Sequence, residues 1–284
     1  MIVELPTDKK ILDLNNYNAI FNSEIGGALR WIMRRHKMTV KQLQSRIKGV
    51  SNSAWRSYTQ MSYQQNRPLH VIAAFSWLTQ ISMLAIFKGN NIKHNWPRMC
   101  NETITGIILA GVLLEEQFEM MVNLILETLN KRRDIQTISI IKLLLKKLPH
   151  KNNNFLMPEE LDIDDFKEDY YQSIANQLRL FREKNGISMS LMGRVLNIPV
   201  NRLYTYEDLN NPVSIPTYVA VRLKLGFDLD QTILFLSGMK RYHNFYLLRE
   251  VQQIRELIIM ELYKVSTAQE RKEWNQLIEI LAHS

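Results

Sequence analysis

Residues 173–238 read SIANQLRLFREKNGISMSLMGRVLNIPVNRLYTYEDLNNPVSIPTYVAVRLKLGFDLDQTILFLSG, and this run decides the fold. It parses into short amphipathic helices separated by turn signals. Ile174, Leu178 and Phe181 share one helical face, Gly186 interrupts that helix, and Ser188 stands where a hydroxyl caps the next. The second helix turns Leu191, Met192, Val195 and Leu196 inward. Asn197 suits a left-handed residue and Pro199 a first helical turn, while Leu203 and Tyr206 anchor a third helix from one side. Two short helices joined by a tight turn make a helix-turn-helix.

Leu178, Arg179, Arg182, Gly186, Ser188, Met192, Gly193, Leu196, Ile198, Leu203, Glu207, Pro216, Ala220, Leu223 and Gly226 together resemble the five-helix DNA-binding domain of the phage-repressor-type family of regulators (Cro-like, XRE). That resemblance implies a lambda-repressor-like fold with the recognition helix at Pro199 to Tyr206. It also implies that Val200, Asn201, Arg202 and Thr205 face outward, and that Gly193 sits where the two helices cross. The sequence departs from the family at Met189, where a glutamine is usual, and at Val200, where a polar residue is common. Both changes take hydrogen-bonding groups from a base-reading edge.

Sliding the chain by 149 residues places Leu29 on Leu178, Arg30 on Arg179, Met38 on Ile187, Thr39 on Ser188 and Ile47 on Leu196. Past the turn the offset is 148, pairing Ser51 with Pro199, Trp55 with Leu203, Tyr58 with Tyr206 and Pro68 with Pro216; it returns to 149 for Leu84 with Ile233 and Gly89 with Gly238. Caps, turns and prolines match in order as well as apolar residues. This favours two copies of one module over two generic bundles that share only an apolar period. The first copy has Gln44-Ser45 in the small-residue region and Thr59 where the family has an acid.

The expected class is all-α: two lambda-repressor-like five-helix helix-turn-helix modules joined by a central helical segment. Residues 1–22 are read as an N-terminal arm or extra strand, 23–98 as the first module, 99–150 as a central bridging or dimerisation segment, 151–170 as an acidic linker or helix start with its charge set against the basic first module, 171–238 as the second module and 239–284 as C-terminal helices. In the first module Ser23, Thr39 and Ser51 are candidate caps. Trp55 and Tyr58 pack the third helix down, and Trp55 is read as core in preference to a base-stacking residue. Trp96-Pro97 marks a boundary. Ile104 to Leu114 is apolar over more than one face, which requires burial between elements or against another chain.

The net charge of +8 is unevenly placed: between Glu24 and Arg98 there are twelve Lys or Arg and one acid, against seven and five in the second copy. Such concentration favours a polyanion beside the first copy. The candidate DNA-binding residues are Arg34, Lys41, Ser51, Asn52, Ser53, Arg56, Ser57, Gln65 and Arg67 in the first copy, and Asn201, Arg202 and Thr205 in the second. Gln65 and Arg67 belong to a polar loop, residues 61–67, which the resemblance sets near the phosphate backbone.

Six scattered histidines and the lone Cys100 supply no metal-ligand spacing. The acidic run from Glu159 to Asp169 lacks the central glycine of a calcium loop. No nucleophile elbow or phosphate-binding glycine loop is present, so neither enzyme nor cofactor is expected. With no secretory signal and no apolar run long enough for a bilayer, a cytoplasmic protein is expected. The leading function is a sequence-specific double-stranded DNA-binding transcriptional regulator, expected as a homodimer through the central or C-terminal helices. The alternative is a non-catalytic protein-interaction or antitoxin-like adaptor that keeps the fold.

Overall fold

The computed structural model describes residues 3–87, 100–149, 155–229, 236 and 238–283. The chain is all-α, at 72% helix, and the one sheet among the described residues is a two-stranded parallel pair, β1 (Ile47–Lys48) with β2 (Leu161–Asp162). The first half contains α1 (Asp8–Arg35), α2 (Val40–Arg46), α3 (Asn52–Tyr58), α4 (Leu69–Thr79) and α5 (Met83–Phe87). Then come α6 (Asn101–Val112), α7 (Glu115–Lys131) and α8 (Ile135–Lys146). The second half holds α9 (Ile163–Lys184), α10 (Met189–Leu196), α11 (Val200–Tyr206) and α12 (Thr217–Gly226), before α13 (His243–Lys264) and α14 (Ala268–His283).

Local chemistry sets these boundaries. Thr39 caps α2 by accepting the Gln42 N–H at 3.2 Å, and Ser188 caps α10 by accepting the Leu191 N–H at 3.1 Å. Left-handed residues occur in pairs at separations of 149 or 148: Lys37 and Gly186 (φ 50° and 62°), Gly49 and Asn197 (88° and 55°), Gln80 and Asp228 (60° and 49°). Each ends or redirects a helix without a long loop.

Three expected boundaries move. Residues 1–22 are not an arm or strand: α1 begins at Asp8, capped by Thr7, and runs through Ser23 without a break. Ile11, Leu14, Phe21 and Ile25 bury one face of it, which carries the helix far upstream of the expected start. Of the two readings of the acidic stretch, the helix start holds, because its end forms the first turns of α9. Asp162 caps that helix through the Asp164 and Asp165 N–H groups, and Asp169 accepts from the Lys240, Arg241 and Tyr242 N–H groups. The central segment breaks at Leu113-Leu114 as well as at Arg132 to Asp134, and α6 to α8 pack with α13 and α14 as one bundle. Gly106 permits the closest approach there: a Cβ would lie 2.8 Å from the Tyr263 hydroxyl. The Trp96-Pro97 boundary, the Gly89 and Ile233 pairings, Lys88, Lys93, Arg98 and residues 150–154 lie outside the described residues.

The two halves meet across an antiparallel bridge between Pro68 and Pro216, with α1 packed on α12 and α9 on α4. The Leu69 N–H donates to the Ile215 carbonyl and the Thr217 N–H to the Arg67 carbonyl, each at 2.8 Å. Beside the bridge the buried Tyr171 hydroxyl accepts the His70 N–H at 3.2 Å, donates to the Ile215 carbonyl at 3.2 Å, and lies 3.0 Å from His70 Nδ1.

Burial, with the nearby Lys167 charge, pulls His70 down to about 4 from 6.5, although Asp164 opposes the shift. Above pH 6.5 the imidazole is neutral in both folded and unfolded chains, so its protonation leaves stability unchanged. Between pH 6.5 and 4 only the unfolded chain takes the proton, and stability falls as pH falls, by roughly 3 kcal/mol at most. Denaturant unfolding of the native chain and His70→Asn should therefore show a shallower decline for the variant in that window; parallel curves would contradict the assignment.

Candidate nucleic-acid interface

α2 and α3 form the first helix pair. Ser51 caps α3 through the Ala54 N–H at 3.1 Å, and Trp55, fully buried, packs edge-on to Tyr58 and against Phe75 as a core residue. Burying Trp55 leaves Ser53 and Arg56 exposed on the opposite side of α3, with Ser51 exposed before it and Ser57 half-buried. Arg34 and Lys41 are exposed on α1 and α2. Arg30, absent from the candidate set, joins Arg56, Thr59, Gln60, Met61 and Ser62 around one open cleft. The structure thus brings Arg56 and Arg30 to one cleft, with Ser53 exposed one turn earlier on α3.

Asn52 and Arg67 sit differently from expectation. Asn52 is half-buried, and its Oδ1 is enclosed without a hydrogen-bond partner, so that oxygen is turned away from solvent. Arg67 is fully buried. Its guanidinium donates to the carbonyls of Tyr58 and Gln60 at 2.8 Å and of Tyr63 at 3.3 Å, closing the C-terminal end of α3 and the turn after it. Burial lowers Arg67 to about 10, with Tyr63 and Tyr58 working against that shift, so it is charged at neutral pH. It has no surface for a phosphate. The loop around it folds back on α1: the Asn22 side chain donates to the Gln64 carbonyl at 2.8 Å, and a Cβ at Gly26 would lie 2.4 Å from the Gln60 carbonyl. Gln65 is exposed, 3.3 Å from the Tyr63 hydroxyl.

In the second pair, α10 and α11, the end of α11 is tied back to α9 by Arg182, whose guanidinium donates two 2.8 Å bonds to the Glu207 carboxylate. That hydrogen bonding raises Arg182 further. Gly193 lies at the helix crossing, where a Cβ would sit 3.0 Å from the Ile198 carbonyl. Asn201, Arg202 and Thr205 are exposed on α11, and Arg202 lies over the Tyr206 ring at 5.2 Å. The same helix exposes Val200 and Tyr204, at 37% and 59%, with Leu209 just beyond it.

Part of the basic charge is engaged. Arg46 donates to the Glu159 carbonyl at 2.6 Å, Lys48 pairs with Glu160 at 3.1 Å, and Arg35 pairs with Glu279 at 2.8 Å. The acidic stretch therefore lies against the first half, at the end of α2. Among the described residues no group of His, Cys, Asp and Glu is placed to hold a metal, and no described helix is long and apolar enough to cross a membrane. No protein-family model, curated protein or solved structure matches the chain.

Arg67→Ala should destabilise the fold by about 3 kcal/mol, since it leaves three carbonyls without their donor and opens a cavity. Urea unfolding measures this. An unchanged midpoint would show that the arginine does not hold the turn.

Proposed function

We propose that the chain is a cytoplasmic, non-catalytic, sequence-specific double-stranded DNA-binding regulator of transcription, built from two copies of a five-helix helix-turn-helix module. The observation that carries this reading is the recurrence of cap, left-handed turn and anchored short helix: Thr39, Gly49 and Trp55 in one half, and Ser188, Asn197 and Leu203 in the other. In both halves the helix after the turn buries one face and leaves polar side chains out. In the first half those side chains stand beside exposed arginines, the combination a phosphate backbone and base edges call for.

The first module makes most of the DNA contact. Arg56 is the candidate for guanine and Ser53 for a neighbouring edge, while Arg30, Arg34 and Lys41 supply charge for phosphates. A second reading rests on α11: its exposed Val200 and Tyr204 suit a protein partner as well as a groove, and would make this module an interaction surface. Pairing of two chains is supported by the exposed Met120 and Leu124 on α7 and Ile140 and Leu143 on α8, apolar side chains on neighbouring helices.

Binding to duplex DNA should weaken steeply as salt rises. Arg56→Ala should cost about 10- to 100-fold on the preferred site and relax base preference, with a smaller loss for Arg202→Ala. Titrations on preferred and scrambled duplexes at fixed salt test the reading. Salt-independent or absent duplex binding by the folded chain would refute it, and a larger loss from Arg202→Ala would reverse the assignment of the two modules.

A further inference from the structure

We infer that one chain carries both halves of a two-fold DNA-reading surface, with α3 and α11 addressing opposite half-sites of a single duplex. The inference rests on the DNA-binding reading above and adds how many chains a site needs and what kind of site it is.

The contact between the halves is the reason. Under the 148-residue offset Leu69 corresponds to Thr217 and Arg67 to Ile215. The two hydrogen bonds of the bridge, Leu69 to Ile215 and Thr217 to Arg67, are therefore exchanged with each other, both at 2.8 Å, which is the signature of a local two-fold axis. The helices that precede the helix-turn-helix units obey the same exchange. The N-terminal part of α1 lies on the second half, where Asn15 accepts from Arg222 at 2.9 Å and Asp8 and Lys10 pair with Arg194 and Asp228. The start of α9 lies on the first half, where Phe166 meets Trp77 at 5.9 Å and β2 pairs with β1.

Tyr58, the end of α3, and Tyr206, the end of α11, lie at equal chain distance from Pro68 and Pro216. The two short helices thus occupy equivalent places in the chain relative to the bridge, which is the relation that a half-turn between their exposed faces requires. A duplex has two-fold axes of its own, and paired helix-turn-helix units use them to enter major grooves one helical turn apart. Here the two units come from one polypeptide, and backbone hydrogen bonds and buried side chains fix their relation.

The two faces are not identical. Ser53 corresponds to Asn201, Arg56 to Tyr204 and Ser57 to Thr205. The target is therefore symmetric in spacing and asymmetric in bases: a guanine suits Arg56 on one side, and an adenine suits Asn201 on the other.

The test uses the full chain and a duplex selected from a random pool, with hydroxyl-radical protection as the readout. The native chain should protect two patches about one helical turn apart. Ser53→Ala with Arg56→Ala should erase one patch, and Asn201→Ala with Arg202→Ala only the other. All four positions are exposed, and an unchanged thermal midpoint confirms that each variant folds. If the α3 changes erase both patches while the α11 changes erase neither, two chains each read with α3; the DNA reading then stands and this inference falls. If no duplex is selectively protected, both fall.

Discussion

Two backbone hydrogen bonds, Leu69 to Ile215 and Thr217 to Arg67, tie the two halves of this molecule together at equivalent positions. They join the first residues of α4 and α12 to the ends of the loops that follow α3 and α11, so each short helix is fixed relative to the other half of the chain. Their surroundings are dry: Leu69, Ile215, Thr217, His70, Tyr171 and the Arg67 side chain are all buried. A carbonyl or amide released there has no water to turn to, and each such loss costs about 1–3 kcal/mol. This makes separation of the two halves expensive beyond the loss of the apolar core that they share.

α3 and α11, each seven residues, are too short to be stable alone and depend on tertiary partners. The two halves meet that need differently. The second uses the ion pair of Arg182 with Glu207. The first has Met33 and Thr59 at the corresponding positions, and Arg67 closes the end of α3 from the following loop instead. Arg222 does a similar service for α10, donating to the Val195 carbonyl at 2.7 Å, and Arg255 for α6, donating to Ala110 at 2.9 Å and to Leu113 at 2.8 Å. Buried arginine at a helix C-terminus is thus a recurring structural device here, where carbonyls without intrahelical partners meet a donor fork. It means that the count of basic residues overstates the charge offered to a polyanion.

What the sequence disclosed and what it hid follow from the range of each interaction. Thr39, Ser188 and Asn197 were legible because caps and left-handed turns are decided within four residues. Trp55 was legible as core because its spacing from Tyr58 matches one helix face. Arg67 was not, since a polar loop reads as solvated unless its long-range partners are known; Gly26, pressed against Gln60, was the available hint and is uninformative without the fold. Asn52 was misplaced because one residue of helical rotation decides whether a side chain faces solvent. The continuous α1 was hidden behind Asn15-Asn16 and Ser23, weak helix formers that packing of Leu14, Phe21 and Ile25 overrides. The pairing of the halves was legible only as an offset, and its two-fold character required the bridge.

The central claim is that α3 and α11 approach one duplex together from either side of that bridge. Directed cleavage measures this: a chelated iron is attached to a single cysteine placed by Ser53→Cys or by Asn201→Cys in a Cys100→Ser chain. The account predicts that each chain cuts one cluster of positions, on opposite sides of the site's centre and about one helical turn apart. Cleavage from position 53 on both sides of the centre, with none from position 201, would contradict it.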